Sequence, residues 1–90
     1  MSDLERRIKL AEAMGWGQVD MADIGPCWQS PDNRILPLPD PFASADDDYA
    51  VLEWAYGQGE VFALKFAKHL KNIWRYQIGD YARAALKVIE

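Results

Sequence analysis

Cys27 and His69 are the only thiol and the only imidazole in the chain. As a nucleophile and base they would have to meet in space, with a third group orienting the ring. Their surroundings point to plainer roles. Cys27 reads as a small apolar residue of a hairpin, and His69 as an exposed loop residue. Two such residues also fall short of the four Cys or His ligands of a structural zinc site. Asp46, Asp47 and Asp48 are consecutive, whereas calcium loops alternate their oxygen ligands around a glycine. Three adjacent acids at a helix start complement the helix dipole instead. No glycine-rich loop precedes a predicted helix, because Gly57 and Gly59 follow one. The expectation is a non-enzyme with no catalytic residue, no metal and no cofactor.

Binding chemistry is more visible than catalysis. Lys65, Lys68, Lys71 and Arg75 lie close to Trp74 and Tyr76. Cations beside aromatic platforms suit single-stranded nucleic acid. However, if residues 74–78 form a strand, Trp74 and Tyr76 face the core while Arg75 faces away. Charge and platform then separate, and weak nucleic-acid binding by this basic hairpin is kept as a lesser alternative. The preferred reading makes Lys65, Lys68, Lys71 and Arg75 a surface for a protein partner. Asp46, Asp47 and Asp48 supply the alternative surface, an acidic imitation of nucleic acid aimed at a host defence complex. Of Trp16, Trp28, Trp54 and Trp74, at least two are expected in the core, and one at a binding surface is in keeping with tryptophan's enrichment at interfaces.

Charge supports binding to protein over polyanions. Residues 1–59 hold 11 acids and 4 bases, residues 60–90 hold 3 acids and 6 bases, and the total is −4. With a pI near 4.9, general phosphate neutralisation is disfavoured. The 90 residues, half of them hydrophobic, predict a single domain over 1–90, burying roughly 60–65% of its unfolded surface. Residues 1–15 mix Asp3, Glu5, Arg6, Arg7, Lys9 and Glu12 among apolar residues, unlike the apolar block of a signal peptide. No run approaches the ~18 apolar residues of a membrane span. One cysteine cannot close an internal disulfide, which fits a reducing interior. A cytoplasmic protein is expected, with no membrane contact and with homo-oligomerisation left open.

The elements that must position these groups follow from local signals. Ser2 and Glu5 have capping-box spacing, Leu4, Ile8 and Ala11 share a face, and Gly15 can stop the helix; a helix is predicted from about Asp3 to Met14. Five prolines between Pro26 and Pro41 forbid a long helix there. Pro31-Asp32-Asn33 predicts a turn joining Cys27–Gln29 to Arg34–Leu36, with one more short strand at Gln18–Met21. Ser44 and Asp47 start a second helix, with Ala45, Tyr49, Leu52 and Tyr56 as its apolar stripe. Residues 60–72 fit either period: Phe62, Leu64 and Phe66 alternate, yet Phe62, Ala63, Phe66, Ala67 and Leu70 also share a helical arc. Trp74, Tyr76 and Ile78 alternate in β-forming types, so a hairpin over 60–78 is preferred. Asp80 then starts a helix with Ala82, Ala85, Leu86 and Ile89 inward.

Four blocks resemble the phage ABA sandwich domain, a family of small phage and prophage proteins of unestablished role. They are MGWGQV at 14–19, WQSPD at 28–32, LPLPDPFASADDDYAVLEW at 36–54 and GDYARAALKVI at 79–89. The resemblance implies an α/β (α+β) single-domain α-β-α sandwich, its mostly antiparallel sheet carrying helices on both faces. It favours a strand at Val61–Phe66 and the order α-β-β-α-β-β-α. It carries no site residues across. A phage or prophage accessory protein working by protein–protein contact is the functional expectation.

Overall fold

The computed structural model describes residues 2–90. Its elements are α1 (Asp3–Ala13), β1 (Gly17–Met21), β2 (Gly25–Gln29), α2 (Ala45–Tyr56), α3 (Glu60–Leu70) and α4 (Asp80–Ile89). Four helices and one two-stranded antiparallel sheet make a mixed α+β fold. The chain divides into two compact units, Met1–Pro39 and Asp40–Glu90.

In the first unit, Ser2 caps α1 by accepting a bond from the Glu5 N–H at 3.2 Å. Gly15 adopts φ +97°, a left-handed turn that lets two amides reach back. Gly15 N–H donates to Glu12 and Trp16 N–H to Ala11, at 3.1 and 2.9 Å. These two hydrogen bonds close the carboxyl end of the helix. Leu10 and Ala11 are the buried residues of α1.

The strands pair differently from the expected hairpin. β1 lies antiparallel to β2, with Gly17 opposite Gln29 and Met21 opposite Gly25. The segment 34–36, expected as the partner of Cys27–Gln29, contributes one bridge between Gln29 and Ile35. The prolines explain the difference: Pro37 and Pro39 cannot donate to a ladder, so this segment ends before it can become a strand. Arg7 instead ties down the extended chain, donating to the carbonyls of Leu38 and Pro39 at 3.1 and 3.0 Å.

In the second unit, Ser44 caps α2 through the Asp47 N–H. The buried positions of α2 are Asp48, Val51 and Ala55. This replaces the expected stripe of Ala45, Tyr49, Leu52 and Tyr56, in which Tyr49 and Tyr56 prove more than half exposed. The larger correction concerns residues 60–78. Glu60–Leu70 is helical, and 74–78 forms no strand. The helical arc wins because it delivers several side chains to one core. Phe66 is fully buried with Ala55 and Ala84, and Trp54, Phe62, Leu70 and Tyr81 pack against them. The rings of Trp54 and Phe62 meet edge-on at 5.2 Å, as do those of Tyr56 and Phe66 at 5.6 Å. α4 presents buried Ala82, Ala84, Ala85 and Leu86 and packs against both α2 and α3. The order is therefore α-β-β-α as expected, then α3 in place of the second pair of strands, then the expected last helix.

Candidate functional site

Residues 61–79 contain four bases and no acid. Lys65 and Lys68 are exposed on α3, Lys71 is exposed at its carboxyl cap, and Arg75 is exposed in the loop that follows. Trp74, expected to face the core, is 98% exposed. Without a strand there is no alternation to separate it from Arg75. Beside it lies an open groove of about 270 Å³, lined by Leu70, Ile73, Trp74, Tyr76 and Tyr81. Tyr76 and Tyr81 stack with centroids 4.9 Å apart. The result is an aromatic groove in a stretch of purely positive charge.

The wall of this groove is held by Asp48. Its carboxylate is completely buried and accepts a bond from the Tyr76 hydroxyl at 2.7 Å. It also accepts from the N–H groups of Gly79 at 3.0 Å, Tyr81 at 3.4 Å and Ala82 at 2.9 Å. These amides belong to the open amino end of α4, where backbone donors lack intrahelical partners. Gly79 stands at the cap position with φ +100° and has no side chain to offer. Asp48 supplies that cap from α2. The amino end of α4 is thus filled by the protein's own anion.

The expected acidic surface is broken up accordingly. Asp46 is exposed, Asp47 accepts from the Asp40 N–H at 2.9 Å, and Asp48 is internal. A buried carboxylate cannot imitate a phosphate at a surface. The spacing of Asp48, Val51 and Ala55 carried the signal for this, since the three share one helical face.

Burial first, and the bond to Asp48 second, push the Tyr76 phenol well above its ordinary value near 10. The sign follows from linkage: the unfolded chain releases this proton at a lower pH than the native chain. Stability is therefore full below about pH 10 and declines above it. Denaturant unfolding at stepped alkaline pH should show this decline in the wild type, with a shallower decline in Tyr76→Phe. Identical slopes would contradict the assignment.

The remaining chemistry-bearing residues have separate settings. Cys27 is half-buried in the first unit, its thiol 3.5 Å from the Gly25 carbonyl. His69 is half-buried in the second, lining a groove with Asn72, Asp80, Arg83 and Lys87. The Gln77 N–H, and then Arg83, hold the Asp80 carboxyl below the usual carboxylate range. Among the described residues no three His, Cys, Asp or Glu side chains are grouped to hold a metal ion. No described helix is long and apolar enough to cross a membrane. No protein-family model, curated protein or solved structure matches this chain.

Proposed function

We propose that this protein is a non-enzymatic accessory protein that binds an acidic protein partner through the aromatic groove and its cations. The exposure of Trp74 between Lys71 and Arg75 carries this reading. Tryptophan and arginine are the residues that most often dominate binding energy at interfaces. A surrounding patch of one sign steers an oppositely charged partner and speeds encounter. Lys65 and Lys68 extend the patch along α3. Phage or prophage origin, a bacterial cytoplasmic setting and the layered α-β-α sandwich form part of the same proposal. They rest on the resemblance of four sequence blocks to the phage ABA sandwich proteins.

The test compares capture by the tagged wild-type chain and by a W74A/R75E variant in phage-infected bacteria. Acidic proteins recovered with the wild type should drop several-fold with the variant, while its far-ultraviolet circular dichroism stays unchanged. Equal recovery would overturn the proposal. A second reading, single-stranded nucleic-acid binding, gains from the same exposed indole lying next to Arg75. It predicts that a labelled oligothymidylate binds the wild type in low salt and not the variant. The acidic-mimic reading loses support, because Asp48 is withdrawn from the surface and Asp47 is engaged with Asp40.

A further inference from the structure

Both α2 and α3 carry a stripe that their own unit leaves in solvent. On α2 it consists of Asp46, Tyr49, Glu53 and Tyr56, and on α3 of Val61, Leu64 and Lys68, continued by Lys71 at the cap; all eight are exposed. Each stripe follows spacings of three, four and three. This is the seven-residue repeat by which packed helices keep one seam toward a partner. The apolar members are large and well exposed: Tyr49 55%, Tyr56 52%, Val61 68% and Leu64 60%. Charge is sorted between the stripes, with two acids and no base on α2 and two bases and no acid on α3. Pairing like stripes would set acid against acid and base against base. Pairing unlike stripes matches them.

We propose that the chain forms a two-fold dimer in which α2 of each copy packs against α3 of the other. Such an interface is self-complementary, so both unlike contacts form at once. Laid antiparallel, the repeat brings Tyr56 against Val61 of the second copy and Glu53 beside its Leu64 and Lys65. Tyr49 then meets Lys68 of the second copy, face to ammonium, and Asp46 meets its Lys71. Lys65, one position beside the seam, adds a cation facing Glu53. The apolar pairs supply burial, and the charges fix which helix meets which. The dimer takes up Lys65, Lys68 and Lys71 and leaves Trp74 and Arg75 as the part of the partner surface outside it, while its test, the oligomeric state of the isolated chain, is read without any partner present.

Sedimentation velocity over about 1–200 μM covers the range in which an interface of two helix pairs associates reversibly. The wild type should shift from monomer to dimer within that range, and less so in high salt. D46K/E53K and K65E/K71E each place like charges across both contacts, and each should associate at least tenfold more weakly. An equimolar mixture of the two restores opposite charges at both contacts and should dimerise again. A wild type that stays monomeric, or a mixture no better than its components, would overturn the dimer. If either charge-reversed chain fails to fold by circular dichroism, Y49S/L64S replaces it, and undiminished association there is equally fatal.

Discussion

Asp48→Ala is expected to remove about 3–5 kcal/mol of stability, read as a lowered urea midpoint by far-ultraviolet circular dichroism. Each buried donor left without an acceptor costs roughly 1–3 kcal/mol. Gly79 and Ala82 are both buried donors to this carboxylate, and the Tyr76 hydroxyl loses its partner too. Loss of a helix cap alone is worth about 0.5–2 kcal/mol. The whole chain, at its length, commands only about 5–13 kcal/mol. Asp48→Asn retains an acceptor but not the charge, and should fall between the wild type and Asp48→Ala. Asp46→Ala, altering an exposed neighbour, should shift stability by no more than about 1 kcal/mol. A midpoint equally insensitive at both positions would remove Asp48 from its role as the cap of α4.

Phe66→Ala should cost about 3–5 kcal/mol, through lost burial and the cavity left behind. Phe66 is fully enclosed, whereas Leu64 is 60% exposed. Leu64→Ala should therefore be nearly neutral in dilute solution. The pair distinguishes the two periods that the sequence allows. In a strand, Leu64 and Phe66 point to one face and both truncations would be costly. In a helix they diverge, and only one is. Unfolding curves of the two single variants, measured side by side, decide between them.

How much was legible depended on whether a signal was local. The caps at Ser2 and Ser44 need only residues three apart, and both form as expected. The turn at Gly15 and the inward face of α4 were readable for the same reason. Residues 60–70 were not, because Phe62 and Phe66 satisfy a spacing of four and also an alternation through Leu64. Only the core that receives Phe66 selects the helix. The stripe on α2 was misread by one position because tyrosine counts as apolar, although its hydroxyl and ring tolerate solvent. Asp48 was grouped with its acidic neighbours by chain order, while its role depends on amides 31–34 residues away. The basic residues were identified correctly as exposed, but the groove beside Trp74 exists only because 74–78 is not the expected strand.

The borrowed cap also bears on how the second unit folds. A ten-residue helix is too short to persist alone in water, and α4 begins at a glycine that offers its first turn no side-chain acceptor. It gains that acceptor only after α2 has formed and docked. α4 is thus a late partner in assembly, and its formation closes the wall of the aromatic groove through Tyr76. Partial unfolding that releases α2 from α4 would dismantle the binding groove before the unit as a whole is lost.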